Sequence, residues 1–510
     1  MVALARQIPA RAAAAALLCS ASASLCLTSD PGAAHAETHR VTNDEQLFIA
    51  SRQVKPGDVI EIEGGKTYKG RIFFEQQGEP NKPITVRGIK KDGKRPILKG
   101  GDNTVYASGN HYLFESIELT GGTSRCMFVL AHEVTMRDMV IRDCPALGLL
   151  SADRDSGTLV VDRCEFYGSG KEGRLHQIYV TTDQNAYPGA VCRLQSSYIH
   201  DANGGNNVKS RAERNEIYFN WIEGALYHEL ELIGPDVDNP PERREDSDVV
   251  GNVLVKGNPE AHGIRIGGDG TMDTDGRFRF VNNTFVMLNG DRSAIRLFDG
   301  VESVELYNNV FVTRDGSPVT LFRTDRVKWT RGKALVTGSH NYIPTGSREV
   351  LDGLSNTVGG ADAKLVDLAG FDFRPADGSP LVDAGTATRP SNPEAPFPRP
   401  LGDVATHPPS RSLGPTVARP SRGTIDIGAF EAGPLPDGGI AASAAPSLPS
   451  PTPGPGEPPT PAASTPNPVS SQGSSRCFCA APGGDSSGTA PIGGVGILVG
   501  LMAFARRRRD

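Results

Sequence analysis

The chain has 510 residues, of which 22% are charged and 6% are aromatic, and its formal net charge is −6. This mildly acidic balance argues against a general nucleic-acid-binding protein, which needs a basic surface to displace counterions. Because 510 residues exceed one ordinary compact domain and eight cysteines are too few for a disulfide scaffold, we expect a repeat architecture or several modules.

Residues 1–36 are typical of a secretory signal peptide. Arg6 and Arg11 supply the positive start, an apolar stretch follows, and Ala34-His35-Ala36 offers small residues for cleavage before Glu37. An N-terminal membrane anchor is the alternative, although the apolar stretch is short and is broken by Ser and Cys. The sequence therefore predicts an exported protein whose folded domain covers residues 37–433.

The C-terminal end is predicted to hold a linker and an attachment segment. Residues 434–475 should form a disordered linker, because residues 434–468 contain twelve prolines and only two charged side chains. Residues 476–510 carry Cys477 and Cys479, an uncharged stretch at 486–505 and arginines at 506–509. This order resembles the C-terminal sorting signals of myxobacterial surface proteins, which implies attachment to the outer membrane or cell surface. A plain C-terminal transmembrane anchor is the alternative, since such a stretch can just cross a bilayer.

The middle of the chain repeats one short pattern: a polar residue, a variable residue and an apolar one. Its first positions are Asp138, Cys164, Ser197, Asn220, Asn252, Asn283, Asn309 and Asn341, at spacings of 26, 33, 23, 32, 31, 26 and 32. Short strands at such spacing indicate an all-β, right-handed parallel β-helix of about ten coils, with asparagines stacked at one corner. A β-sandwich or propeller is the alternative, but neither accounts for the successive asparagines.

A second strand can be aligned from coil to coil on its central apolar residue. If the centre points inward, its two neighbours point outward, because side chains alternate across a strand. Two outward columns are therefore predicted. The residues that follow the central residue in successive coils form one column: Tyr179, Lys209, Glu231, Arg265 and Arg296. The residues that precede it form the other: Gln177, Asn207, Glu229, Gly263 and Ala294. Tyr227, His228 and the insertion at residues 235–248 should wall one side of this polar face.

Two stretches carry a family resemblance: Asn207-Val208-Lys209-Ser210, followed by Asn215 and Asn220, and Gly263-Ile264-Arg265-Ile266-Gly267-Gly268. They resemble polysaccharide lyase family six, the chondroitinase-B and alginate-lyase group, over roughly residues 40–315. The resemblance implies that Lys209 abstracts the substrate proton and that Arg265 matches an Arg of that family. It also implies a calcium ion held by acidic residues before the Lys, but residues 202–205 are Ala-Asn-Gly-Gly. Glu231 stands where the family has an Arg.

A lyase of this class removes the C5 proton of a uronate, which requires a base and a positive charge on the neighbouring carboxylate. We assign Lys209 as the base, Arg265 with Arg296 as the carboxylate partners, and Tyr179 as the acid that protonates the leaving oxygen. The further candidate substrate-binding residues are Asn207, His228, Glu229 and Glu231.

Three functions stay open for an anionic polysaccharide partner. The first is a lyase, and the second is a non-catalytic glycan-binding or adhesion module, since alternating charges also protect an exposed sheet. The third is an inverting glycoside hydrolase, because Glu229 and Glu231 should lie about 6.6 Å apart on one strand. That separation is near the lower edge of the range for an inverting pair, about 6.5–9.5 Å. We expect a monomer without a resident cofactor.

Smaller features allow further expectations. Asp269, Asp273 and Asp275 form a candidate calcium loop, for which an ordinary Asp- and Gly-rich turn is the alternative. Four cysteines, spaced by about one coil, should be buried singly or joined in a disulfide: Cys126, Cys144, Cys164 and Cys192. His176, His228 and His262 fall two positions before their strand centres, which predicts inward or corner positions.

Overall fold

The computed structural model describes residues 36–434, except for residues 235–244, 269–273, 299, 325–334 and 421. The predicted signal peptide, linker and attachment segment lie outside these residues, and so does most of the predicted insertion at 235–248. The described residues contain no helix with the length and apolar composition of a membrane span.

The chain winds into a right-handed parallel β-helix, as the repeat pattern predicted, and three parallel sheets run along its axis. One helix, α1 (Asp44–Gln53), lies at the N-terminal end and buries Leu47 and Ala50. It contacts the strands Thr38–Val41, Val59–Glu63 and Ile72–Phe74. Asn43 caps the start of the helix, since its side-chain oxygen accepts a hydrogen bond from the backbone N–H of Gln46 at 2.9 Å.

The strands are numbered in chain order. Sheet A contains β1 (Thr38–Val41), β2 (Val59–Glu63), β5 (Ile84–Ile89), β8 (Tyr112–Glu115), β11 (Val134–Arg137), β14 (Leu159–Asp162), β17 (Val191–Gln195), β20 (Arg214–Tyr218), β23 (Asp246–Val250), β26 (Arg277–Val281), β29 (Ser303–Tyr307), β32 (Leu335–Ser339) and β33 (Leu354–Ser355). Sheet B contains β3 (Thr67–Lys69), β6 (Ile97–Lys99), β9 (Glu118–Thr120), β12 (Val140–Arg142), β15 (Glu165–Tyr167), β18 (Tyr198–Ile199), β21 (Trp221–Glu223), β24 (Val253–Val255), β27 (Thr284–Met287) and β30 (Val310–Thr313).

Sheet C contains β4 (Ile72–Phe74), β7 (Asn103–Ala107), β10 (Arg125–Val129), β13 (Leu147–Ser151), β16 (Ile178–Thr181), β19 (Val208–Arg211), β22 (Leu230–Ile233), β25 (Ile264–Gly267), β28 (Ser293–Leu297) and β31 (Thr320–Thr324). Two short antiparallel pairs follow: β34 (Leu365–Asp367) with β35 (Asp372–Pro375), and β36 (Thr406–His407) with β37 (Val417–Ala418).

The predicted asparagine stack is present at one corner, where sheet A leads into sheet B. The stack consists of Asn220, Asn252, Asn283, Asn309 and Asn341. The side-chain amide of each of the first four donates to the side-chain oxygen of the asparagine in the next coil, at 3.0, 3.0, 2.9 and 2.9 Å. All five are fully buried. The ladder satisfies backbone groups that the bend leaves without a strand partner, since the same amides also donate to carbonyl oxygens of the preceding strands.

The four cysteines of the β-helix are all buried, as predicted. Cys126 and Cys144 form a disulfide, with their Cα atoms 5.8 Å apart. Cys164 and Cys192 are free thiols in the core. The sequence left pairing and single burial open, and both occur.

The described residues between 371 and 431, which we name the C-terminal strap, fold back over the outer faces of sheets A and B. On sheet B, Phe373 stacks on Trp221 with ring centres 5.3 Å apart, and Ile427 and Phe430 join the same apolar cluster. On sheet A, Val404 packs with Tyr218 and its neighbours. The strap therefore buries apolar side chains that point out of these two sheets, and the remaining sheet, C, carries the site described next.

Candidate functional site

A column of polar side chains runs along the outer face of sheet C. The strands pair so that Tyr179 lies beside Lys209, Lys209 beside Glu231, Glu231 beside Arg265, and Arg265 beside Arg296. This is the register that the sequence alignment predicted. The residues before them in each strand are buried in the core: Ile178, Val208, Leu230, Ile264 and Ile295. Alternation along each strand therefore turns the polar side chains outward.

The column continues to Arg323 on β31, which pairs with Arg296 and is exposed. The strands that were aligned within the sequence end with that of Arg296, so Arg323 was not predicted to belong to the column. The run Leu321-Phe322-Arg323, with buried Leu and Phe, could have supplied the signal. We call the six side chains Tyr179, Lys209, Glu231, Arg265, Arg296 and Arg323 the polar column.

Glu231 lies at the centre of the polar column and is almost fully buried, with 3% of its surface exposed. Its carboxylate accepts a hydrogen bond from the Asn206 side chain at 2.6 Å and from the Arg265 guanidinium, and it lies 3.6 Å from Nζ of Lys209. Burial opposes the charge of Glu231, but the two cations outweigh burial and hold its pKa below the ordinary value. Glu231 is therefore a fixed anion that orients Lys209 and Arg265.

Aromatic rings support the cations of the polar column. Nζ of Lys209 lies 5.2 Å from the centre of the Tyr179 ring. The guanidinium carbons of Arg265 and Arg296 lie 4.1 and 4.5 Å from the centre of one shared ring, Phe298. Such contacts reduce the mobility of long side chains and hold their charge above the sheet. Sequence reasoning did not find Phe298, because it follows its strand and belongs to no aligned column.

The Tyr179 hydroxyl accepts a hydrogen bond from Nε of Arg211 at 3.0 Å. Arg211 is buried and also donates to the carbonyl oxygen of Gly234. A buried guanidinium thus holds the phenol in place at the end of the column that is nearest to Lys209. This arrangement puts a hydroxyl proton beside the cationic centre.

The second predicted column does not face outward, and that prediction is wrong. Gln177, Asn207 and Glu229 are fully buried. Gln177 donates to Asn207 at 2.7 Å, and Asn207 donates to the Glu229 carboxylate at 2.6 Å. These residues precede strands β16, β19 and β22 at the corner between sheets B and C, where the chain bends and the alternation of a flat strand does not apply. They form an internal hydrogen-bonded ladder, and Gly263 and buried Ala294 continue it without polar side chains.

Glu229 faces this interior rather than the polar column. Its carboxylate accepts from the backbone N–H of Ala225 and lies 3.7 Å from Nζ of Lys256, which is itself buried. Burial raises the pKa of Glu229 to about 7, against the opposing charge of Lys256. Glu229 and Glu231 therefore point to different environments, and the predicted carboxylate pair of an inverting hydrolase is not formed.

The predicted inward or corner positions of three histidines are confirmed. His176, His228 and His262 are all buried, and Asn206 occupies the equivalent place in the coil between His176 and His228. Nδ1 of His176 accepts from the backbone N–H of Asn206 at 3.0 Å, and Nδ1 of His262 accepts from that of Ser293 at 3.2 Å. Burial lowers the pKa of these rings to about 3, 4 and 3 in chain order. His228 is thus a neutral corner residue, although the exposed ring of Tyr227 packs against it at 4.6 Å.

The insertion at residues 235–248 was expected to form one wall of the site. Its residues 235–244 are outside the described residues, and residues 246–248 belong to β23 of sheet A. Asp248 is buried there and accepts from Arg214 and Arg279. This end of the insertion is therefore part of the scaffold and does not reach the polar column.

A calcium ion does not fit the position that the family resemblance implies. Of residues 202–205, only Asn203 carries a side-chain oxygen and none carries a carboxylate, while the Glu231 carboxylate is paired with Lys209 and Arg265. Over residues 36–434, apart from the gaps, no group of three or more His, Cys, Asp and Glu side chains is arranged to hold a metal. Of the candidate calcium loop, Asp269 and Asp273 lie outside the described residues. We derive no chemical step from a metal.

Comparison with known proteins finds several solved structures that resemble the chain. The solved structures that resemble the chain include pectate lyase Pel9A, with 13% identity and a TM-score of 0.42 over 78% of this chain and 96% of that one. An alginate lyase from Paenibacillus sp. str. FPU-7 has 18% identity and a TM-score of 0.36 over 59% of this chain and 97% of that one. The alginate lyase AlyGC of family PL6 has 18% identity and a TM-score of 0.39 over 67% of this chain and 51% of that one. No curated protein matches the sequence.

Fold and sequence together define a polysaccharide-lyase-like parallel β-helix. The family model described as chondroitinase B matches residues 41–331, which is more than half of the chain. The protein belongs to the chondroitinase B family. The match covers every residue of the polar column.

Proposed function

We propose that the protein binds an anionic polysaccharide on the outer face of sheet C and cleaves it by β-elimination. The observation that carries the proposal is the charge of the polar column. The column holds four cations, Lys209, Arg265, Arg296 and Arg323, and one carboxylate, Glu231, which leaves a surplus of three positive charges on a chain whose net charge is −6. A local cationic strip on an acidic protein attracts a polyanion and aligns it.

The proposed chemistry uses three groups of the column. For this step Lys209 first releases its ammonium proton to solvent; its amine then takes the C5 proton of a uronate, and the electrons of that C–H bond form a double bond to C4. The C4–oxygen bond breaks, and the Tyr179 hydroxyl supplies the proton to the leaving oxygen. Arg265 pairs with the uronate carboxylate and stabilises the charge that develops there during proton removal. Net proton transfer from Lys209 to Tyr179 restores both groups for the next cycle.

A second function, binding without cleavage, is supported by Glu231. This carboxylate already contacts Lys209 and Arg265, so a substrate carboxylate must compete with it for both cations. A column whose cations are held in fixed ion pairs serves as a binding surface for sulfate or carboxylate groups even if no proton is removed. Turnover therefore separates the two functions.

The first prediction tests turnover. Alginate, pectate and chondroitin sulfate are incubated with the protein while ultraviolet absorbance is followed, since elimination creates a double bond conjugated to a carboxylate. We expect Lys209→Ala to lower turnover by about 10²–10⁴-fold and to change polymer affinity only a few-fold, because a base acts in the transition state. Arg265→Ala should weaken both.

The matched control is Lys99→Ala, an exposed lysine on sheet B. It should leave turnover and binding unchanged. Retention of a polymer by the wild-type protein without any rise in absorbance would favour the binding function. If Lys209→Ala, Arg265→Ala and Lys99→Ala all show the same turnover and the same polymer affinity, the polar column is not the functional site.

We also propose that the protein is exported and held at the cell surface by residues 476–510. The Cys126–Cys144 disulfide supports export, because disulfides persist mainly in oxidising compartments outside the cytoplasm. Removing residues 470–510 should release the protein to the medium, whereas unchanged retention by the cells would contradict the attachment.

A further inference from the structure

The polar column is one half of a longer column on sheet C. Its register continues in the N-terminal direction from Tyr179 through side chains that are all apolar or aromatic: Leu150, Phe128, Tyr106 and Phe73. Each is half-buried, whereas its neighbours at the strand centres are buried. We call Phe73, Tyr106, Phe128 and Leu150 the apolar column.

The rings of the apolar column form a regular surface. Phe73 and Tyr106 have ring centres 5.4 Å apart, and so do Tyr106 and Phe128. These distances follow from the spacing of neighbouring strands, about 4.8 Å, and they leave one edge or face of each ring toward solvent. In the described structure, the C-terminal strap contacts sheets A and B, so these rings are not part of the apolar clusters that it buries.

The charge around the apolar column differs from that of the polar column. The charged groups that act on the Tyr106 hydroxyl are Glu75, Arg154 and Asp155, which include both signs. Arg125 lies over Phe128 with its guanidinium carbon 4.3 Å from the ring centre. Among these described groups the two signs balance, so the apolar half lacks the positive surplus of the polar half, and its half-buried rings suit the C–H faces of sugars rather than their anionic groups.

We propose that the apolar column is a second binding region for the same polysaccharide, and that one chain lies along the helix axis across both halves. This inference rests on the proposed function. The polymer places carboxylate or sulfate groups on the arginines, and its sugar rings stack on Tyr106, Phe128 and Phe73. Tyr179 is the junction, because it belongs to the aromatic series and also contacts Lys209.

The geometry makes binding depend on chain length. Lys209 and Tyr106 are separated by four strand spacings, about 19 Å, and Phe73 and Arg323 by nine, about 43 Å. A short oligosaccharide held by Lys209 and the arginines does not reach Tyr106, whereas a long polymer does. The apolar column should therefore contribute to affinity for polymer only.

The test compares Tyr106→Ala and Phe128→Ala with wild-type protein in binding to alginate, pectate or chondroitin sulfate and to short oligosaccharides of the polymer that is retained best. We expect each variant to lower polymer affinity by about five- to tenfold, the effect of losing one aromatic contact. Affinity for short oligosaccharides should stay within about twofold. Tyr106→Phe keeps the ring and should bind as the wild type does.

Ile89→Ala is the control, since Ile89 is an exposed apolar residue at the end of β5 in sheet A. Thermal melts check that each variant is folded. If Arg265→Ala weakens polymer binding but the Tyr106 and Phe128 variants match the wild type, the apolar column is not a binding region and the proposed function survives. If the wild type retains none of the three polymers, the proposed function and this inference fail together.

Discussion

At the scale of single residues, Glu231 decides how the polar column meets a polyanion. It is buried, it is bonded to Asn206, and it balances two cations that would otherwise repel each other across neighbouring strands. Its lowered pKa means that it stays charged throughout the neutral range, and its contribution to stability is lost only as the pH falls below the ordinary carboxyl range. Glu231 therefore stabilises the fold and at the same time lowers the net positive charge of the polar column by one.

Replacing Glu231 with Gln should separate these two effects. We expect Glu231→Gln to raise affinity for a polyanion by about three- to tenfold at low salt, because the column gains one net positive charge, and added salt should remove the gain. The free energy of unfolding should fall by about 1–3 kcal/mol, since Lys209 and Arg265 lose their counter-ion but keep some access to water. Polymer retention at several salt concentrations and denaturant unfolding measure these quantities. A loss of affinity would show instead that the ligand uses Glu231 as an acceptor.

At the scale of structural elements, the corner before sheet C makes stability depend on pH. His262 has a pKa lowered to about 3 by burial and by the neighbouring cations and His228, whereas an unfolded histidine titrates near 6.5. The unfolded chain therefore binds more protons than the folded one between these values. The stability contributed by neutral His262 is complete above about pH 6.5 and decreases as the pH falls toward the folded value.

His262→Asn removes this titration and retains an acceptor for the backbone N–H of Ser293, as Asn206 does for His228 in an earlier coil. The wild-type protein should lose about 2 kcal/mol of unfolding free energy relative to the variant between pH 7 and pH 5. Denaturant unfolding of both proteins at the two pH values measures the change. A constant difference between them would mean that His262 is not held neutral by the fold.

The same corners show how much the sequence predicts. The asparagine stack and the register of the polar column were both predictable, because they depend on a repeated polar–apolar order and on alternation within a strand. The outward position of Asn207 and Glu229 was predicted wrongly, since alternation was extended beyond the first residue of each strand into a bend. Neither the ion pairs of Glu231 nor the position of Phe298 could be derived, because they depend on side-chain directions between coils rather than on spacing along the chain.

At the scale of the whole molecule, the β-helix has three long faces that are used differently. The C-terminal strap lies on sheets A and B, where it also meets buried charges: the Arg279 guanidinium donates to the carbonyl oxygen of Arg399 at 3.2 Å. The Tyr307 hydroxyl donates to the carbonyl oxygen of Pro390 at 2.7 Å. The candidate site lies on sheet C. The strap thus stabilises the scaffold by contacts on the faces next to the one that is proposed to bind the polymer.

Two truncations should separate stability from attachment. A chain ending at residue 434 retains the strap, so we expect an unchanged melting temperature together with release to the medium. A chain ending at residue 370 exposes Trp221 and its apolar neighbours, and the burial of each such side chain contributes about 1.5–3 kcal/mol to stability. This chain should therefore melt more than about 10 °C lower or aggregate.

If the shorter chain does not fold, Phe373→Ala in the full chain tests the same contact. Its free energy of unfolding should fall by about 3–5 kcal/mol. Val366→Ala, at an exposed site, is the matched control. Equal melting of both truncated chains would mean that the strap only covers the sheets and contributes nothing to their stability.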